Sequence, residues 1–429
     1  MKSSYLEIVT YLESLQMMPK AMPGLQKIRR ALAATDWFQQ INPKKIILVA
    51  GTNGKGSTCA MLEALLVEAG KKVGFYSSPH LVTTTERLHL NTVPVSEEIF
   101  VKIYEECQGL VKQFELSHFE ALTLMAGHWY FSKSWNLNLD YVILEVGLGG
   151  TFDATNAFHH AYSVITALDF DHTSILGHTL NQIAQNKFGI VQSENKVIYQ
   201  ALPLELQSLK NNIVKTTNST AFEVEAARFE IRKVHAEPHY ILQTKWGEVN
   251  LSLKGRRGAE NAMTALRVFE VLGFDPTFCL QALSRVKWAG RMQKVLWSGL
   301  PCPLYLSGDH NPQGIQSLIE ILLHFSWQKL HVIIGIGADK DAEEMLTQLI
   351  KLPRVELYLT VTPFKGRSLS AYPEKYLHLA RQKGENILEL IDEVAKAVEK
   401  DDLVIVTGSL YLVGEVLKHL KFNLENQPE

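Results

Sequence analysis

Two consecutive α/β units are what this sequence predicts, on three observations. The apolar run Ile46-Ile47-Leu48 leads into Val49-Ala50-Gly51-Thr52-Asn53-Gly54-Lys55-Gly56-Ser57, and the helical pattern Met61-Leu62-Leu65-Leu66 follows. Strand-like and helical segments alternate from 45 to 200, the mark of a mainly parallel, doubly wound sheet. The same alternation restarts near Gly290. At 429 residues the chain also exceeds one ordinary core, since domains run to roughly 100–200 residues.

In chain order, residues 1–40 read as a helical, mixed-charge lead-in ending near Trp37. The strands expected next are Lys45–Ala50, Lys72–Tyr76, Asp140–Glu145, Ser163–Thr166 and Lys196–Gln200. Between them lie helices at about 56–70, 96–113, 117–134 and 179–192. Residues 222–253 change character. Phe222–Val224, Phe229–Ile231, His239–Leu242 and Val249–Leu253 read as short antiparallel strands. Helices are expected at 258–272 and 276–285, and the domain boundary at 286–296. The second unit carries strands Pro303–Leu306, Leu330–Gly335, Val355–Thr360 and Leu403–Thr407.

A net charge of −2 gives no reason to expect nucleic acid or an acidic membrane as a partner. The N-terminus has no signal-peptide pattern and no stretch is long enough to span a bilayer. The four cysteines are scattered without a C-x-x-C pair, as expected of reduced, buried thiols in a cytoplasmic protein.

The strand, turn and helix at 46–66 form a nucleotide phosphate cradle. Glycines let backbone N–H groups approach phosphates, Lys55 reaches the β/γ-phosphates and the Ser57 hydroxyl ligates Mg²⁺. The loop is shorter than the common G-x-x-x-x-G-K-[ST] form, and Gly56 separates Lys55 from Ser57. Glu145 ends an apolar strand before a glycine-rich turn, where a bare carboxylate is costly unless it binds a cation.

Several motifs in this order resemble the folylpolyglutamate synthases of the Mur ligase superfamily, in many bacteria bifunctional with dihydrofolate synthase. They are Gly51–Ser57, Tyr76–Leu81, Thr85–Arg87, His118–Glu120, Leu144–Gly150, Asp153–Asn156 and Asp171–Thr173. In the second unit they are Gly290-Arg291, His310–Pro312, Asp339–Asp341 and Thr407–Gly414. The resemblance implies a P-loop ATPase domain over 1–288, with a mainly parallel sheet and a small antiparallel one. It implies a C-terminal Rossmann-like glutamate-ligase domain over 289–429. The implied activity is ATP-dependent amide ligation of L-glutamate to dihydropteroate, reduced folates or both, through an acyl phosphate. ATP and two Mg²⁺ are implied, with K⁺ as an option, and a monomer as the default.

By that resemblance ATP meets Thr52, Asn53, Gly54, Lys55, Gly56, Ser57 and Thr58. Asn261 meets the adenine, and Arg291 and His310 act from the second domain, so that domain closure completes the site. Metal ligands are Ser57, Ser78, Glu145, His172 and Lys187, the last as a carbamate. Without the resemblance a loop histidine would not be assigned to Mg²⁺, and Lys187 would read as a solvated cation. Lys55, Glu145, His172 and Lys187 are the catalytic set. Phe119, Glu120 and Thr123 face the pterin, where an aromatic ring can stack; helix core is the alternative for Phe119. The glutamate pocket is expected near His310, Ser409 and Tyr411.

The sequence departs from the family in three places. The His-Gln pair before the asparagine is Arg257-Gly258. The first Asp of Asp-Gly-Ala-His-Asn-Pro is Ser307, with Asp309 two residues on as its substitute. Around Lys187, Asn186 and Phe188 replace Glu and Ala. Three rivals remain: a cell-wall Mur ligase, for which the residues before the phosphate loop are too few; a catalytically altered paralogue or nucleotide-binding regulator; and a generic P-loop phosphotransferase.

Overall fold

The computed structural model describes residues 4–16, 24–234 and 237–425. Its architecture grows outward from Ile46–Ala50 (β1), five residues buried on both faces. A strand buried on both faces needs a parallel neighbour on each side and helices above and below. β1 pairs in parallel with Tyr141–Glu145 (β5) and with Tyr162–Ile165 (β6). Val73–Tyr76 (β2) extends the sheet beyond β5, and Lys196–Tyr199 (β7) and Thr220–Glu223 (β8) extend it beyond β6. Leu88–Leu90 (β3) and Val93–Pro94 (β4) add an antiparallel edge. The order is β4-β3-β2-β5-β1-β6-β7-β8. The chain leaves β1 toward β2 and returns past it to β6, so the strand order reverses around β1, where doubly wound sheets bind ligands.

Arg228–Val234 (β9), Glu237–Thr244 (β10) and Gly247–Leu251 (β11) form a three-stranded antiparallel sheet. A third sheet has the order β12-β13-β17-β14-β15-β16. Its members are Gln293–Val295 (β12), Leu304–Leu306 (β13), Leu330–Gly335 (β14), Val355–Thr360 (β15), Gln382–Gly384 (β16) and Leu403–Thr407 (β17). All neighbours in it are parallel except β12 with β13. The chain divides into two compact units. One holds Met1–Ala227, Thr244–Val249 and Glu260–Val286; the other holds Arg228–Gln243, Asn250–Ala259 and Lys287–Glu429. Among the described residues no helix is long and apolar enough to cross a membrane.

The lead-in helices Tyr5–Ser14 and Gln26–Ala33 belong to the first core, through Ile8, Leu12, Ile28 and Leu32. Residues 17–23 of that lead-in lie outside the described ones. Three expectations are corrected. Phe222 and Glu223 do not join the antiparallel strands; they lie in β8, parallel to β7. The unforeseen helix Leu204–Thr216 supplies the crossover that parallel pairing requires. The helix expected at 276–285 is two short 3₁₀ turns, Pro276–Phe278 and Leu280–Ser284. Asp275 caps the first of them on the Thr277 N–H, so the chain turns instead of extending. The helix expected to reach 192 stops at Phe188.

The helix after the phosphate loop, Lys55–Glu68, carries a buried carboxylate. Glu63 accepts the Thr92 N–H at 2.8 Å and faces His89 at 3.3 Å, tying this helix to the β3–β4 edge. Its replacement leaves a backbone donor unpaired. Glu63→Ala is therefore expected to cost about 2 kcal/mol of stability, read as a lower thermal midpoint with the same circular dichroism spectrum.

Candidate active site

The turn after β1 is built around residues without side chains. Gly54 has φ of +87°, and a Cβ there would collide with the Asn261 amide. An L residue would meet strain and a clash together. The turn is also sewn to the segment after β6. Thr52 N–H donates to Ala167 O at 2.8 Å, Thr52 Oγ1 donates to Asp169 O at 2.9 Å, and Thr166 Oγ1 donates to Asn53 O at 2.8 Å. The helix then starts at Lys55, which directs its first N–H groups at the turn.

Two lysines converge here. Lys55 Nζ donates to Gly51 O at 3.0 Å, and Lys187 Nζ donates to the same oxygen at 2.9 Å. Lys187 is buried, held by the helix Leu180–Phe188. Burial first, and the Lys55 charge second, push its ammonium down to about 7. A lysine at that value presents a substantial neutral, nucleophilic fraction near pH 7.

Glu145 closes β5, level with Val49 of β1, and is 4% exposed. Its Oε2 accepts the Ser78 N–H at 3.1 Å. Ser78 precedes a cis peptide to Pro79. The Ser78 and Thr58 hydroxyls are buried without a hydrogen-bond partner among the described residues. Buried hydroxyls are nearly always satisfied, and these two suit a cation or a phosphate. Ser57 is buried beside Thr58. His172 adopts the left-handed conformation, φ +49°, and stands 3.9 Å from Asp171. Among the described residues no three His, Cys, Asp or Glu side chains group to hold a metal. The Glu145 carboxylate and the Ser57, Ser78 and Thr58 hydroxyls are oxygen donors, the kind that hard cations such as Mg²⁺ take.

The three residues expected at the pterin occupy different surroundings. Phe119 packs with its ring 5.8 Å from that of Tyr76, and a side chain at Gly147 would meet it at 2.6 Å. It thus lies against the turn that follows Glu145. Glu120 is the acidic member of a capping box: Oε2 accepts the Ser117 N–H at 2.9 Å and the Ser117 hydroxyl at 2.7 Å. Thr123 is 1% exposed and its hydroxyl donates to Phe119 O at 2.7 Å. Both hold the helix His118–Phe131 and its Phe119 in place.

Sequence reasoning assigned no role to Asp153 or Gln200. Asp153 accepts the Leu148 N–H at 2.9 Å and the Thr155 N–H at 3.0 Å, bracing the glycine turn after Glu145. Its carboxyl is pushed up by burial, against those hydrogen bonds. Gln200 follows β7 and donates to Asn261 Oδ1 at 3.3 Å. Its place at the carboxyl end of an apolar run was the available signal.

In the second unit the carboxyl ends of β13 and β17 carry polar residues. Ser307 Oγ donates to Asp309 Oδ2 at 2.6 Å, joining the residue that departs from the family to the acid two positions on. Arg291 Nη1 donates to Gly308 O at 3.4 Å, and His310 Nδ1 lies 2.9 Å from the same carbonyl. Ser409 Oγ is 3.0 Å from Thr362 Oγ1, and the Tyr411 and Phe364 rings are 4.9 Å apart. Each sheet thus presents its candidate residues where parallel sheets bind ligands.

The Mur ligase middle domain matches residues 124–269, and the Mur ligase glutamate ligase domain matches residues 290–410. Fold and domain matches together are those of a Mur ligase. The dihydrofolate synthase/folylpolyglutamate synthase of Buchnera aphidicola subsp. Schizaphis graminum is 30% identical, over 86% of this chain and 86% of its own. That of Bacillus subtilis is 28% identical, over 93% and 95%. The E. coli FolC structure with ADP superposes with a TM-score of 0.82 at 26% identity, covering 99% of each chain. The Yersinia pestis bifunctional enzyme with AMPPNP and Mn ion gives 0.80 at 28% identity, covering 98% of each. The chain belongs to the dihydrofolate synthase/folylpolyglutamate synthase family.

The departure at Gly258 has a local cause. A side chain there would collide with the Leu253 carbonyl. Gly258→Gln, which restores the family residue, is expected to destabilise the protein by ~1–3 kcal/mol. A thermal midpoint at or above that of the parent would contradict this.

Proposed function

We propose that this chain is an ATP-dependent ligase that joins the amine of L-glutamate to the carboxylate of dihydropteroate, of reduced folates, or of both. The observation that carries the residue-level reading is the meeting of Lys55 and Lys187 on Gly51 O, in a turn built to receive phosphate. A carboxylate is a poor electrophile. Transfer of the γ-phosphoryl group makes it an acyl phosphate, which the glutamate amine attacks with loss of phosphate. Such chemistry asks the protein for position and fixed charge.

Lys55 exchanges the Gly51 and Thr52 carbonyls, at 3.0 and 3.3 Å, for phosphate oxygens. The N–H groups of Gly54, Lys55, Gly56 and Ser57 surround the phosphate chain, and Thr58, whose own N–H donates to Gly54 O at 2.8 Å, offers its hydroxyl. Thr52 and Asn53 fix the entry to the turn, and Asn261 meets the base. Arg291 and His310 act on the nucleotide from the second unit. Ser57, Ser78, Glu145 and His172 would hold two Mg²⁺ ions, which supply charge neutralisation when bound. Lys187, neutral for much of the time near pH 7, forms a carbamate with CO₂ and joins that set as an anion. Phe119 offers its ring to the pterin. In related structures a bifunctional folylpolyglutamate synthase/dihydrofolate synthase carries Mn, AMPPNP and L-glutamate, and a folylpolyglutamate synthase carries AMPPCP and folate. A small-molecule site of that kind is the one assigned here; K⁺ is a further cation to vary in the assay.

Mass spectrometry after incubation with Mg-ATP, K⁺, L-glutamate and either dihydropteroate or tetrahydrofolate tests the reading. One glutamate gained on dihydropteroate identifies dihydrofolate synthase, and stepwise gains on tetrahydrofolate identify polyglutamylation. Bound ATP without any gain would leave an altered paralogue. Glu145→Ala is expected to lose roughly two to three orders of magnitude in turnover.

Lys187 gives a separate expectation. With ¹³C-bicarbonate the protein should show a carbamate carbon resonance that Lys187→Ala lacks. The signal should fade as pH falls through about 7, because protonation removes the nucleophilic amine. Identical spectra of the two proteins would remove Lys187 from the anionic set.

A further inference from the structure

We propose that Gln200 is the positioning residue that locks the Asn261 amide with Oδ1 turned inward, so that Nδ2 is presented to an acceptor nitrogen of the nucleotide base. The inference rests on the assignment of Asn261 to the base. It adds the residue that fixes how that base is read.

The hydrogen bonds determine the orientation. Thr264 Oγ1 donates its single proton to Glu260 O at 2.7 Å. It can then only accept from Gln200, so the Gln200 atom at 2.8 Å from it is the amide nitrogen. That same nitrogen stands 3.3 Å from Asn261, whose facing atom must be the carbonyl oxygen. All three side chains are buried, at 8% for Gln200, 6% for Asn261 and 0% for Thr264, so water does not compete for these bonds. Gly54 confines the same amide, since a Cβ on it would strike Asn261. The amide is therefore held between the phosphate turn and Gln200. Asn261 Nδ2 makes no hydrogen bond among the described residues, and an amide NH₂ can only donate. Its counterpart on adenine is a ring nitrogen, because the exocyclic amino group does not accept.

Gln200→Leu and Gln200→Glu test this, with Asn261→Ala as the reference. Glutamate keeps the size of glutamine but, ionised, cannot donate to Asn261 Oδ1. Both Gln200 variants are expected to weaken Mg-ATP binding and raise KM for ATP about tenfold. The turnover number should stay within roughly twofold and KM for the pteroate substrate should not move. Combined with Asn261→Ala, Gln200→Leu should add nothing further. A Gln200→Glu protein that binds ATP like the parent would overturn the proposal, as would independent, multiplying effects in the double variant. Should Gln200→Leu fail to fold, the isosteric Gln200→Glu carries the test alone. An Asn261→Ala protein with unchanged ATP affinity would remove Asn261 from the nucleotide, and this inference with it.

Discussion

A single carbonyl oxygen, that of Gly51, receives the ammonium groups of both Lys55 and Lys187, at 3.0 and 2.9 Å. Two cations on one acceptor repel each other, and burial raises the cost for the one that water cannot reach. Burial first, and the Lys55 charge second, push the Lys187 ammonium down to about 7. The arrangement calls for anions twice over. Phosphate oxygens would relieve Lys55, and the carbamate proposed on Lys187 would turn repulsion into attraction. A site in this condition is polarised toward ATP before any substrate carboxylate arrives.

The scaffold around that oxygen is ordered by its position in the sheet. β1 is flanked in parallel by β5 and β6, so the segments after all three strands emerge on one edge. Thr166 and Thr52 fasten the turn to the segment after β6. Glu145, at the end of β5, is fastened to the Ser78 backbone after β2. Asp153 braces the glycine turn that gives Glu145 its room. Carboxylate, hydroxyl and ammonium groups from four strand ends are thereby fixed by backbone hydrogen bonds. That is the preorganisation electrostatic catalysis depends on.

The inner strands were legible in the sequence because burial on both faces leaves an unbroken apolar run, as in Ile46–Ala50 and Tyr141–Glu145. The edge strands were not. Gln293–Val295 and Gln382–Gly384 contain mostly polar, part-exposed residues, and only pairing identifies them as strands. Phe222 was read into the wrong sheet because alternation reveals strand character but not partner. At the site, Lys55 and Glu145 announced themselves by residue type and context. Glu120 caps its helix, and a capping box and a ligand contact ask for the same carboxylate. Gln200 and Thr264 carry no motif; their meaning lies in a hydrogen-bond chain between residues far apart in sequence.

Two of the departures from the family, Gly258 and Ser307, are accommodated by their neighbours. Gly258 lies where the Leu253 carbonyl leaves no space for a side chain, so loss of the family glutamine there belongs with the path of the chain entering the helix Gly255–Val271. Ser307 gives up a carboxylate but grips the one on Asp309 at 2.6 Å, keeping an acid at the end of β13. Gln200 reaches the Asn261 amide from the end of β7. At β13 a polar function is retained while the residue supplying it has moved. Such substitutions are expected where selection acts on the geometry of a site and leaves the identity of its supporting residues free.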